Sequence, residues 1–429
     1  GHQWALATSR DLVHWQQHGL VLPIDNAWEC SICTGSVFHH AGVFHAFYAT
    51  RKAGWDEHLS HAVSPDGIHF TKCAPNPFRS PGPGLTGDYR DPLVFREEAT
   101  GRFHMLVSTA QAAPALAGRG GLLEHLVSTD LYQWDVTEPF FQPDLIGVPE
   151  CVDYFHWNGW YYLLFSACGG MARYRMSRDP LGPWQRPALE TLNGPMARVM
   201  KTAPFTGNRR LGVSFLPCLA DPANIDSDVY AGHTVFQELL QREDGTLDSC
   251  FPLEMLPAHG PAWAWSCTAV TPEVTVQPAG ITVRSPGLAV AALPGAPRNA
   301  VIHLRIDPLP GTRAYGLCVR GSGNYARGLE IRLRPGTATV EVRDPQSGLD
   351  GVNVRHAIAQ VDGLDGPLTL DIVLTGDILD VNINRRRCLV NRCPTLDGDT
   401  LFLYCESGSV TFTEIAVREI HQADDACIP

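Results

Sequence analysis

The sequence predicts an all-β fold: a five-bladed β-propeller whose first blade is incomplete, followed by a β-sandwich. Three observations predict it. Four segments, "ATSRDLVHW", "AVSPDGIHF", "LVSTDLYQW" and "MSRDPLGPW", share a Ser-x-Asp turn and a nearby aromatic residue. Upstream of the last three stands an apolar run entered through a glycine turn, "AGVFHAFYAT", "TGRFHMLVST" and "NGWYYLLFSA", and before each lies a shorter run ending in Phe38, Phe95 or Phe155. From about residue 268 onward the texture changes to alternating runs such as "LEIRLRPGTATVEVRD" and "LTLDIVLTGDILDVNINRR".

Aromatic and β-branched runs punctuated by Gly, Asn and Asp are strand chemistry, and a fixed order of strands that recurs signals radial repetition. Each unit reads as strand, turn, strand, variable segment, strand, Ser-x-Asp turn: the four-stranded blade of a propeller. Residues 37–70, 94–134 and 154–184 make whole units, 196–256 a looser one, and 1–15 only the last part of another. The propeller is therefore expected over 1–262. The Ser-x-Asp side chains are expected to satisfy local backbone groups. Period-2 alternation with Gly, Asp and Pro turns predicts the antiparallel sandwich over 268–429. Its basic cluster, "INRRRCLVNR", is expected at a solvated strand end.

Composition narrows the partners. A formal charge of −12 without any Lys/Arg block argues against nucleic acid or anionic lipid, and no stretch approaches the ~20 apolar residues of a membrane span. A neutral small-molecule or oligosaccharide ligand fits better. Thirteen cysteines without regular spacing suit a reducing compartment rather than a disulfide framework. Cys30 and Cys33 form a C-x-x-C without a second half at zinc-ribbon spacing, so neither metal nor cofactor is expected. A secretory leader would precede residue 1, which leaves localisation open.

Propeller geometry says which side chains meet, because the innermost strand of every blade lines one central channel. Alignment on Phe38, Phe95 and Phe155 puts "CTGSVF", "YRDPLVF" and "PECVDYF" in equivalent places. Thr34 and Ser36, Arg90 and Asp91, and Glu150 and Cys151 should converge. Two carboxyl groups in one dry funnel will have unequal pKa values. Glu150, among Pro149, Cys151 and Val152, is expected to be the buried, protonated one, and Asp91 to be held ionised by Arg90. An acid poised opposite a carboxylate is what glycosidic cleavage requires. Trp55 is a candidate for an aglycone subsite or, equally, for a core or rim role.

"WALATSRDLVHW", "YRDPLVF" and "PECVDYF", in this order, resemble glycoside hydrolase family 32, the β-fructofuranosidases that include invertases, inulinases and levanases. "FQELLQREDGTLDSCFPLEML" and "LDIVLTGDILDVNINRRRCLVNRCP" extend the resemblance over nearly the whole chain. It implies that Glu150 is the general acid/base, that Asp91 stabilises the transition state by binding fructosyl hydroxyls, and that Arg90, Ser36 and Cys151 shape the fructose subsite. It implies no metal. The family's nucleophile is an aspartate in an Asn-Asp-Pro-Asn-Gly motif preceding the Trp of "WALATS". That motif does not occur in residues 1–429, where "ADPANID" (220–226) is the nearest string. Thr375-Gly376-Asp377 and Ser214-Phe215 also depart from the family pattern. Three readings stay open: a start lying outside these residues, or supplied by a partner chain that completes the first blade; another nucleophile or activated water; and a sugar-binding propeller without turnover.

Overall fold

The computed structural model describes residues 1–420 except 55, 144, 168–169 and 348–350, so Trp55 lies outside the described residues. Among the described residues no helix is long and apolar enough to cross a membrane. The chain divides into two compact units: Gly1–Glu190 with Val199–Thr202, and Thr191–Arg198 with the residues from Ala203 on.

The first unit opens with a two-stranded sheet, β1 (Trp4–Ser9) and β2 (Trp15–Leu22). A four-stranded meander follows: β3 (Ser31–His40), β4 (Val43–Arg51), β5 (Glu57–Ser64) and β6 (Thr71–Lys72). The next is β7 (Leu85–Arg96), β8 (Phe103–Gln111), β9 (Gly121–Ser128) and β10 (Asp135–Val136). The third is β11 (Glu150–Trp157), β12 (Trp160–Ser166) and β13 (Ala172–Ser177), with Gln185 bridging Met176 at its outer edge. A fourth sheet joins β14 (Arg198–Phe205), β15 (Arg209–Leu219), β16 (Asp228–Gln241) and β17 (Leu247–Cys250), the last three of which belong to the second unit. These four sheets have the antiparallel order of propeller blades, and the structure bears out four blades where five were expected.

Apolar faces explain the stacking within the first unit. Leu22 of β2 packs with Ile32, Ala46 and Tyr48; Phe47 and Leu59 pack with Val94, Met105 and Leu126; Leu93 and Leu106 pack with Val152 and Leu163. Each sheet thus buries one face against the next, which brings the first strands β3, β7 and β11 side by side. The Ser-x-Asp turns behave as predicted. Ser9, Ser64 and Ser128 each accept the N–H groups of the second and third residues on, while Asp11, Asp66 and Asp130 do the same for the residues after them.

The second unit holds the strands β18 (His259–Ala262), β19 (Thr268–Ala269), β20 (Val274–Gln277), β21 (Gly280–Leu293), β22 (Ala300–Pro308), β23 (Ala314–Ser322), β24 (Arg327–Arg334), β25 (Thr339–Arg343), β26 (Ala357–Ile358), β27 (Leu368–Thr375), β28 (Ile378–Ile383), β29 (Arg387–Arg392) and β30 (Thr400–Ile420). They form one 13-stranded sheet rather than the two separate sheets expected of a sandwich. The reason is β30. Its first half pairs with β23 and its second half with β22, while β21 follows it along both halves. The exchange occurs around Ser407, which has a positive φ of 49°, and Gly408, where a Cβ would lie 2.5 Å from the Thr312 hydroxyl. The sheet folds over a single core of Ile, Leu and Val, including Ile302, Leu317, Ile331, Leu370 and Leu403. An open cleft of about 590 Å³ on this unit is lined by Glu273, Thr275, Arg284, Leu309, Thr312 and Ser409, among others.

A further expectation changes in this unit. The basic cluster is not wholly a solvated strand end. Arg385 and Arg386 are exposed, but Arg387 is buried and Arg392 fully so. Arg392 donates to the carbonyls of Pro217 (2.6 Å) and Leu216 (3.0 Å) and to Asp377 (2.7 Å), so β29 is pinned across β15 by a satisfied guanidinium. Asp377, whose motif departs from the family pattern, therefore has a structural duty here.

On the same face of β28 lies Asp380, opposite Val373 and Val390, with one carboxyl oxygen buried and unpartnered. Burial pushes its carboxyl up to about 7. The folded chain thus keeps a proton that the unfolded chain, at about 3.9, releases. What this proton contributes to stability is complete below about pH 4 and lost as the pH rises to about 7. Asp380→Asn should therefore raise stability at pH 8 by roughly 1–4 kcal/mol and leave it nearly unchanged at pH 4. Chemical denaturation at both pH values measures this, and equal midpoints at pH 8 would contradict it.

Candidate active site

The three first strands of the first unit carry the same irregularity at the same height. β3 shifts register between Ile32 and Gly35, β7 between Arg90 and Leu93, and β11 between Glu150 and Asp153. Such bulges re-aim side chains where a strand begins. At the last two, a non-glycine residue takes a left-handed backbone: Asp91 at φ 57° and Cys151 at φ 51°. Strain at equivalent places in successive sheets is characteristic of a functional site. In β3 a glycine is required instead, because a Cβ on Gly35 would sit 2.0 Å from the Phe47 carbonyl oxygen.

Arg90 joins the two predicted carboxylates. Its Nη2 donates to Glu150 Oε1 at 2.8 Å, and its Nε stands 3.9 Å from Asp91 Oδ2. Asp91 Oδ2 in turn accepts the Cys151 N–H at 2.7 Å, which ties the bulge of β7 to that of β11. Residues 60 positions apart in the chain meet here, as the repeat alignment predicted.

The expected difference in burial between the two carboxyls is reversed. Asp91, 2% exposed, is the buried carboxyl, whereas the Glu150 side chain is 44% exposed and ion-paired with Arg90. Desolvation raises the Asp91 carboxyl above its ordinary range, opposed by the Cys151 N–H and by the charges of Arg90 and Lys201. The neighbours of Glu150 in sequence are apolar, but the residue begins its strand and its side chain reaches the open end. Sequence neighbours therefore misreported its burial.

The remaining predicted residues take clear places. The Ser36 hydroxyl donates to the Pro92 carbonyl at 2.8 Å, so its proton links β3 to β7. Burial and the adjacent Asp91 push the Cys151 thiol well up, so it is a neutral thiol rather than a nucleophile. Cys30 and Cys33 carry free thiols, as do all the described cysteines.

Three residues of the site were missed by sequence reasoning. Glu57, 2% exposed at the start of β5, accepts Arg90 Nη1 at 3.0 Å, and Asp88 accepts the same nitrogen at 2.6 Å. Burial disfavours the Arg90 charge, but the carboxylates of Glu57, Asp88 and Glu150 outweigh it and keep the guanidinium protonated. Lys201 donates to the Val152 carbonyl at 2.5 Å and places a second positive charge near Asp91. Asp88 lies two residues from Arg90 and could have been found; Glu57 and Lys201 sit in no motif.

The chemistry open to this arrangement is acid catalysis at one solvent-facing carboxyl, with a second, dry carboxyl beside it, both touched by a cation that no ordinary pH neutralises. Comparisons with known proteins cover the same part of the chain. Residues 1–179 match the model of the glycosyl hydrolases family 32 N-terminal domain. A levanase of Bacillus sp. (strain L7) is 30% identical over 177 residues, covering 36% of this chain and 18% of the relative. A sucrose-6-phosphate hydrolase of Escherichia coli is 29% identical over 177 residues, covering 39% of this chain and 35% of the relative. The matched part thus spans well under half the length of these curated relatives. Among solved structures, fructan 1-exohydrolase IIa from Cichorium intybus shares the fold with a TM-score of 0.73 at 14% identity, over 98% of this chain and 90% of that one. The matched model makes residues 1–179 similar to the N-terminal domain of the glycosyl hydrolases of family 32, and the likeness of fold runs over nearly the whole chain.

Proposed function

We infer that the protein cleaves β-fructofuranosides, sucrose or inulin- and levan-type fructans, by hydrolysis or fructosyl transfer. Glu150 protonates the leaving oxygen, and Asp91 steadies the oxocarbenium-like centre and binds the fructosyl hydroxyls. Arg90 orients both, and Ser36 and Cys151 shape the floor of the fructose subsite. The observation that carries this reading is the contact of Arg90 with both carboxylates across two strand bulges. Residues 1–262 form the catalytic propeller in this reading, with β1 and β2 as the outer part of a fifth blade, and residues 268–429 an accessory β-domain. A segment or partner chain outside residues 1–429 would complete that blade and cover its strand edge. The nucleophile of a retaining route would come from there, whereas a water activated by a carboxylate would serve an inverting one.

A second reading, sugar binding without turnover, is favoured by the near-complete enclosure of Asp91. Reducing-sugar release from sucrose, inulin and levan separates the two. The first reading predicts release from at least one of them. Binding by calorimetry without release from any would leave the second.

A further inference from the structure

We propose that Glu57 is a positioning residue, which sets the charge and orientation of Arg90 and through it the acid Glu150. This rests on the fructoside-cleaving reading of the same site. Glu57 begins β5 directly opposite Arg51, the last residue of β4, and its Oε1 accepts Arg51 Nε at 2.9 Å and Nη2 at 2.8 Å. Its other oxygen accepts Arg90 Nη1 at 3.0 Å and the Tyr89 N–H at 3.3 Å. An alternating line of charge therefore runs Arg51, Glu57, Arg90, Glu150, from the sheet of β4 and β5 through β7 to β11.

A carboxylate 2% exposed would be costly unless paired, and here both oxygens are paired with cations. The two-sided grip fixes the direction of the Arg90 fork. With Nη1 held by Glu57 and Asp88, the planar guanidinium has Nη2 left to meet Glu150, and Nε left to approach Asp91. Glu57 also offsets the positive charge that Arg90 directs at Glu150. The charged and titratable groups facing this line are Asp88, Asp91, Arg51, Arg90, Glu150, Lys201 and Cys33.

The test compares the wild-type protein with Glu57→Gln and Glu57→Asp, after thermal unfolding has shown that each is folded. For Glu57→Gln the expected result is a kcat lower by about 10- to 100-fold, as for a group misplaced by about an ångström, with KM changed much less. Glu57→Asp, which keeps the charge, should restore part of kcat. In a crystal structure of Glu57→Gln, Arg90 Nη2 should stand beyond hydrogen-bond reach of Glu150. An unchanged kcat, with Arg90 still on Glu150, would overturn the proposal. If the wild-type protein releases no sugar, the fructoside reading fails, and the position of Arg90 in the variant crystal alone decides the role of Glu57. Should Glu57→Gln not fold, Glu57→Asp, whose carboxylate is drawn back by one methylene, carries the same structural test.

Discussion

Glu150→Gln is expected to lower fructose release by about 10²- to 10⁴-fold, the contribution of a positioned general acid, while the protein remains folded. Glu150 stands at the open end of β11 with its side chain 44% exposed, so a glutamine of the same shape disturbs no core. The amide still accepts a hydrogen bond from Arg90, which leaves the neighbouring Asp91 and Cys151 contacts in place. What is lost is the proton. The loss should fall on kcat and kcat/KM together, because the interaction is made only as the leaving oxygen departs. Substrates with an activated leaving group, such as an aryl fructoside, need less protonation and should lose less. Steady-state kinetics on sucrose, fructan and an aryl fructoside check this; equal losses on all three would argue against an acid role.

The second large effect is acid unfolding driven by buried histidine pairs. His45 Nδ1 lies 3.1 Å from His61 Nε2, and His104 Nδ1 lies 2.8 Å from His125 Nε2, at equivalent places in two consecutive sheets. His61 also stacks on Phe47 at 4.3 Å, and His104 on Phe95 at 4.9 Å. Burial holds His61 down to about 3 and His125 down to about 4, and lowers His45 and His104 as well. The folded state keeps these rings neutral where the unfolded chain takes up protons at about 6.5. Their contribution is complete above pH 6.5 and lost as the pH falls toward the folded values, at about 1.4 kcal/mol per pH unit for each of the two most depressed rings. By pH 4.5 that is roughly 5 kcal/mol, within reach of the whole stability of a domain. His39 and His40 beside the first pair add like charge on the same acid side, while Glu97, 3.6 Å from His104, opposes it. Denaturant unfolding between pH 7.5 and 4.5 should show this loss, and His61→Phe should flatten it. An unchanged slope in the variant would remove His61 from the account.

What was legible in the sequence was whatever is local or repeated. The Ser-x-Asp turns could be read because their hydrogen bonds close within a few residues, and the meeting of Arg90, Asp91 and Glu150 followed from the alignment on Phe95 and Phe155. The left-handed backbone at Asp91 and Cys151 was not legible. Positive φ is uncommon for a cysteine, and although aspartate adopts it more readily, nothing nearby in the chain announces it at either residue. Nor could the chain show which carboxylate would be enclosed. That depends on Glu57 and Lys201, brought in from distant strands and belonging to no motif. In the second unit, "LFLYCESGSVTFTEIAVREI" reads as one alternating run and is one strand. Its exchange of partners near Ser407 joins the expected sheets into one, a property of pairing rather than of pattern.

The central claim is that a fructosyl ring sits where Arg90 touches both Asp91 and Glu150. A crystal structure of Glu150→Gln soaked with sucrose or 1-kestose tests it most directly. The account predicts a furanose ring with its hydroxyls on Asp91 and its glycosidic oxygen facing residue 150. A ring bound only elsewhere, such as in the cleft between Arg284 and Thr312, with Asp91 still closed against Cys151, would contradict it.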